Sequence, residues 1–197
     1  MIAIYPYLEK VQKHDFRTYL HCCRVSTTSK FIGETLKLSS KELESLVKSA
    51  FLHDIGKIKI SQKILNNPGK LSKSEWEALK QHPVYGEKYL INNYVSQIII
   101  EGIIAHHERW DGKGYPNGLF GENIPLYGRI IAVADAIDAM AVYRPYRKQL
   151  EIKEAIKEIQ DCSESQFDPY IVKKICSHPI KILEKEIYGF QEKIKNR

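Results

Sequence analysis

Apolar residues along the chain recur at intervals of three and four rather than two, so the pattern predicts helices almost throughout. One helix is expected over about 15–38, with Phe16, Leu20, Val25, Phe31 and Ile32 as core candidates. The stretch SSKELESLVKSAFLHDIG, 39–56, supplies serine caps, an early glutamate, apolar Leu43, Leu46, Val47, Ala50 and Phe51, and a glycine stop. That arrangement puts His53 and Asp54 in the last turn of a helix. KIKISQKILNNPGKL, 57–71, carries NNPG and reads as a loop, and a short helix follows in which Ser72 and Glu75 have capping-box spacing. Further helices are expected over 83–92, 95–108, 129–144, 152–161 and 168–176, with a charged helix from 179 to the end. The segment RIIAVADAIDAMAVYR, 129–144, is apolar on nearly every face and should be largely buried. Glycines and prolines between 109 and 126 predict an ordered, irregular loop with room for a short hairpin. The expected fold class is all-α, one domain over 1–197.

Composition narrows this picture only modestly. A chain of 197 residues, 43% hydrophobic and 27% charged, is long enough to bury a substantial core. The longest apolar run, VSQIIIEGIIA, is interrupted by Gln97 and Glu101 and is too short to span a bilayer, so no membrane partner is expected. The start, MIAIYPYLEK, lacks the basic opening and sustained apolar stretch of a signal peptide, and the expected compartment is the cytoplasm. Cys22, Cys23, Cys162 and Cys176 include an adjacent pair and no CxxC, a pattern of reduced thiols. The net charge of +6 would suit a phosphate-bearing partner, but the basic residues are interleaved with acids and form no stripe, so nucleic acid is not expected.

The histidines and aspartates change the picture most. His53 and Asp54 follow AFL, His106 and His107 follow IIIEGIIA, and Asp135 sits inside AVADAI. Burying so many polar groups without partners is too costly to be accidental, and together they read as a metal site. Imidazoles and carboxylates suit borderline divalent ions, and one aspartate can bridge two of them through its separate oxygens. Adjacent helical side chains diverge by roughly 100°. His106 and His107 therefore suit two neighbouring metals, or one metal at a helix end. Without a thiolate nearby, a structural zinc site is disfavoured.

HDIGK at 53–57 resembles the hallmark of the HD superfamily of metal-dependent phosphohydrolases, and HHERWDGKGYPNGL at 106–119 resembles the extension that defines its HD-GYP subgroup. HCCRV at 21–25, HPVYG at 82–86, IPLYGRIIAVADAIDAM at 124–140, RPYR at 144–147 and FDP at 167–169 fall in the family's order, so the resemblance covers about 14–178. It implies a helical bundle around an internal binuclear centre. His21, His53, Asp54 and Asp135 would hold one ion, and Asp54, His82, His106 and His107 the other. Iron or manganese is expected, and zinc or nickel fits the same donors. Asp54 and Lys57 are the expected catalytic residues, with Lys57, Tyr115, Arg144 and Arg147 contacting substrate. Members with three metals carry a glutamate four residues before the first histidine ligand. Arg17 stands there, so two metals are expected.

The activity that the resemblance implies is hydrolysis of cyclic di-GMP to linear pGpG or GMP, by a hydroxide bridging the two ions. Another cyclic dinucleotide such as cyclic GMP-AMP is the near alternative, and a weakly active cyclic di-GMP receptor the distant one. The resemblance also implies contact of the GYP loop with a diguanylate cyclase or another signalling protein. Glu108 and Asp111 read equally well as supports for the histidines or as turn formers. Trp76 and Trp110 read as packing residues, and His14 and His178 as surface residues.

Overall fold

A computed structural model describes residues 4–141 and 149–186. Its helices are α1 (Tyr5–His14), α2 (Phe16–Thr35), α3 (Ser40–Leu52), α4 (Gln62–Leu65), α5 (Lys73–Leu79), α6 (His82–Ile91), α7 (Gln97–Ile104), α8 (Leu126–Ala141), α9 (Ile152–Asp161) and α10 (Pro169–Cys176). Short 3₁₀ turns occupy Ile55–Lys59 and Gly121–Asn123, and 180–186 are helical. Among the described residues there is no strand, only two isolated β-bridges, and no helix is long and apolar enough to cross a membrane. The fold is all-helical, as the periodicity predicts.

Local sequence chemistry sets the helix boundaries. Asp15 caps α2 by accepting from the Thr18 amide at 3.2 Å and its hydroxyl at 2.6 Å. Ser39 with Glu42 and Ser72 with Glu75 form capping boxes that start α3 and α5. Asp168 opens α10, with Pro169 in the first position, where its missing N–H costs nothing. In α9, Ile152, Ala155, Ile156 and Ile159 are buried at helical spacing. Each isoleucine there contributes roughly 1.5–3 kcal/mol of burial.

Two apolar clusters form the core. One gathers Val25, Ile32, Leu46, Ala50 and the inner faces of α8, α9 and α10. The other joins Val11, Leu52, Ile55, Leu90 and the α7 residues Ile99, Ile100 and Ile103. Helix α3 feeds both, so the turn after Leu52 lies at their junction.

Several expectations need correction. Helix α1 is not legible in the apolar pattern, yet it buries Val11 and Leu8. Phe16, a core candidate, is 53% exposed because it is the first residue of α2 and stacks on Tyr19 rather than entering the core. The expected loop 57–71 contains the end of a 3₁₀ turn and α4, which Ser61 caps by accepting from the Lys63 amide. His14 and His178 are half-buried rather than free surface groups: His14 Nε2 lies 3.1 Å from the Ile60 carbonyl, and His178 Nε2 lies 3.1 Å from the Thr35 hydroxyl. Arg144, Arg147 and the end of the expected C-terminal helix lie outside the described residues.

Candidate metal centre

The polar cluster forms where helix ends converge. Helix α3 stops at Leu52, with His53 as its C-cap and Asp54 beyond, and α7 stops at Ile104, two residues before His106. The sequence pattern predicts both pairs inside a last helical turn, but the chain leaves the helix first. Terminal carbonyls of a helix have no intrahelical partner, and the histidine rings take them up. His53 Nδ1 lies 2.7 Å from the Ala50 carbonyl, His82 Nδ1 2.7 Å from that of Leu79, and His106 Nδ1 2.6 Å from that of Ile103. A carbonyl only accepts, so Nδ1 carries the proton in each ring and Nε2 presents a lone pair.

These Nε2 atoms and that of His21 converge. His82 Nε2 and His106 Nε2 are 3.2 Å apart, as are His21 Nε2 and His53 Nε2. Asp54, 1% exposed, lies between the two pairs. Its Oδ2 is 3.6 Å from His21 Nε2 and 3.5 Å from His53 Nε2, whereas its Oδ1 is 3.2 Å from His82 Nε2. Oδ1 makes no hydrogen bond despite that proximity, as expected when two acceptors face each other. Ligand atoms of His82, His106 and His107 lie within 4.8 Å of one another, and so do those of His21, His53 and Asp54. Asp135 Oδ1 reaches to 3.2 Å from His21 Nε2. Two groups of largely buried nitrogen and oxygen donors that share a carboxylate fit divalent cations. Arg17, at the position of the third-metal glutamate, is exposed and 3.9 Å from Asp15.

The electrostatics divide the cluster. Burial and the neighbouring histidines push His106 well below the ordinary histidine range, and burial with His82 lowers His107 to about 3. Burial lowers His53 too, against the pull of Asp54. Burial opposes charge on His21 as well, but hydrogen bonds to Asp135 and Asp138 outweigh it and raise its pKa to about 9. Asp54 stays ionised well below the carboxylate range, because Lys57, His53 and His82 overcome the cost of burial. Lys57, one turn after His53, places its ammonium 2.5 Å from Asp54 Oδ2.

The segment after His107 folds back over the centre. Glu108, 3% exposed, accepts the Asn117 amide at 2.7 Å and the Leu119 amide at 3.0 Å, so it forms the turn rather than supporting a ring. Asp111 pairs with Arg109 at 2.8 Å. The expected hairpin is reduced to one antiparallel bridge between Asp111 and Phe120. Gly114 is packed so tightly that a Cβ would fall 2.4 Å from the Arg109 amide. Tyr115 is thereby laid on the His107 ring, centroids 4.8 Å apart and planes at 27°. Trp110 packs under Arg129 at 5.9 Å, in keeping with a packing role.

All seven residues expected around the metals, together with Lys57 and Tyr115, meet in this one place. Three others went unread in the sequence. Asp138 and Arg24 stand behind His21, and Lys80 lies 5.7 Å over the Tyr115 ring. Spacing carried a signal for two of them: Arg24 is three residues after His21, and Asp138 three after Asp135, each one helical turn along the same face.

A helical bundle that closes around paired histidines and a shared HD aspartate is the architecture of the HD domains. The chain belongs to that family, whose HD domain profile matches residues 8–171. It is 41% identical over 175 residues to a cyclic di-GMP phosphodiesterase of Thermotoga maritima, covering 88% of this chain and 46% of that protein. It is 32% identical over 177 residues to 3'3'-cGAMP-specific phosphodiesterase 2 of Vibrio cholerae, covering 89% of this chain and 34% of that one. The chain thus spans less than half the length of these relatives. Among solved structures, the HDGYP protein Bd1817 of Bdellovibrio bacteriovorus superimposes with a TM-score of 0.66 at 22% identity, over 83% of this chain and 51% of that one, a likeness of fold.

Proposed function

We propose that the chain is an HD-GYP-type phosphodiesterase that uses two divalent ions, iron or manganese, to hydrolyse cyclic di-GMP to linear pGpG or GMP. The observation that carries the reading is Asp54, with one carboxylate oxygen towards His21 and His53 and the other towards His82. His21, His53, Asp54 Oδ2 and Asp135 would hold one ion, and Asp54 Oδ1, His82, His106 and His107 the other. Bound there, the ions supply charge neutralisation at the phosphate and a water acidic enough to lose its proton near neutral pH. Lys57 stays protonated, because Asp54 outweighs its burial, and its ammonium offers charge to a phosphate oxygen at the same edge of the centre. Tyr115, held flat on His107, gives the substrate a wall beside the ions. Arg144 and Arg147 are retained as phosphate contacts by the motif resemblance.

A second substrate, 3'3'-cyclic GMP-AMP, is favoured by the Vibrio cholerae relative named for it. Anaerobic incubation of the chain with Fe²⁺ or Mn²⁺ and each dinucleotide, followed by chromatography, separates the readings. Cleavage of cyclic di-GMP to a linear product, abolished with metal binding in Asp54→Ala, is expected. Binding of both dinucleotides with cleavage of neither would leave a receptor in place of the enzyme.

A further inference from the structure

We propose that Asp138, clamped by Arg24, is a positioning residue that holds His21 with Nε2 turned inward and so sets the metal affinity of the half-centre formed by His21 and His53. The proposal rests on the two-metal reading above. His53, His82 and His106 sit beside helix ends, where a spare carbonyl fixes Nδ1. His21 is the sixth residue of the twenty-residue α2, where the nearby carbonyls are spent on the helix itself. Its Nδ1 needs an acceptor from elsewhere, and α8 supplies one in Asp138 Oδ2 at 2.7 Å.

That carboxylate is 2% exposed, and a buried charge of this kind persists only when paired. Arg24, one turn beyond His21 on the same helix, donates Nε to Asp138 Oδ1 at 2.6 Å and its Nη2 to Oδ2 at 3.1 Å. A fork of two bonds fixes the plane of the carboxylate as well as its charge. With Asp138 unable to turn, the His21 ring is held in one orientation, and its basicity as a ligand is raised. The other half-centre has no counterpart: among the described contacts, the Nδ1 of His82 and of His106 each meet a neutral carbonyl. Neither Arg24 nor Asp138 has a role in the proposed hydrolysis, and the arrangement affects one ion selectively.

The test is a titration of the metal-free full chain with Mn²⁺ by calorimetry, with elemental analysis for stoichiometry. The wild type takes up two ions. Asp138→Asn, which keeps the shape and removes the charge, should weaken one class of site by about tenfold to a hundredfold and shift the other by about threefold or less. Imidazole ¹⁵N spectra of the Zn²⁺-loaded protein add a signature that general loosening would not give: in the variant, the His21 resonances move while those of His82 and His106 stay. If Asp138→Asn fails to fold, Arg24→Gln carries the test with the same expected split. Wild-type affinity at both classes, or equal weakening of both, overturns the proposal while leaving two-metal binding intact. Uptake of fewer than two ions by the wild type overturns the two-metal reading itself, and the proposal with it.

Discussion

Gly56 of the HDIGK stretch is where the two halves of the centre touch, and replacing it with alanine measures how much that contact matters. A Cβ built there lies 1.9 Å from the His82 carbonyl oxygen and 2.6 Å from the Gly86 amide nitrogen, where real contacts do not fall below 3.0 Å. Both obstacles are backbone, so no side chain can rotate away, and α6 must retreat by about an ångström. His82 begins α6, so the retreat opens the 3.2 Å approach of its Nε2 to Asp54 Oδ1. Overpacking typically costs about 1–3 kcal/mol, and rigid neighbours on both sides put Gly56→Ala at the upper end. For a chain of this size, about 3 kcal/mol lowers the melting midpoint by roughly 6–12 °C. Displacing a group of the reacting site by about 1 Å can cost on the order of a hundredfold in rate. The urea midpoint, the metal content and the proposed turnover of cyclic di-GMP, measured together, should all fall. Gly69→Ala is the control, because its Cβ would meet only Asn67 Oδ1 at an ordinary 3.4 Å. A Gly56→Ala protein with wild-type stability and turnover would refute the reasoning.

Further outcomes follow from the electrostatics and the loop. In chelator-treated protein, His53, His106 and His107 are lowered on folding, so their stabilisation is present above the unfolded pKa and is lost as pH falls below it. Stability, and with it the melting midpoint, should drop between pH 7 and 5, with His107 alone contributing on the order of 2 kcal/mol at pH 5; a flat or rising midpoint in scanning fluorimetry would contradict the assignment. His21, raised to about 9, works oppositely: its contribution is complete below pH 6.5 and fades as pH climbs through 9, so the same scan should decline again on the alkaline side. Glu108→Ala strands the amides of Asn117 and Leu119 and should cost about 1–3 kcal/mol by urea titration, an effect absent if the loop amides are solvated. Tyr115→Phe keeps the stack on His107 and should melt like the wild type, whereas Tyr115→Ala should lose about 0.5–1.5 kcal/mol and raise KM for the dinucleotide; equal melting of the two variants would remove the stack from the argument.

Much of this was legible in the chain. Helix periodicity and the Ser39–Glu42 and Ser72–Glu75 spacings are local signals, and they marked most of the helices and two of their starts, but not α1 or α4. The cluster was legible because histidines and aspartates stood in apolar company, an expensive arrangement without a shared partner. What escaped depended on contacts between segments distant in sequence. Asp138 meets His21 across 117 residues, and although its spacing from Asp135 puts it on the same helix face, nothing local says which histidine it meets. Gly56 reads as a helix stop, yet its need arises from α6, some 26 residues later in the chain. Phe16 fits the apolar stripe of α2, but end position placed it outside the bundle. Local rules fix the elements; which ends meet is decided by packing.

The Glu108 carboxylate has a practical consequence. It ties the amides of the loop to the residue that directly follows His107, and Tyr115 leans on the His107 ring itself. The loop and the His107 ring therefore act as one lever, with Tyr115 as its outer arm and a donor of the proposed metal centre as its inner arm. Under the two-metal proposal, a ligand pressing on Tyr115 would be felt at His107, so Fe²⁺ bound there would be expected to register it in its electronic spectrum.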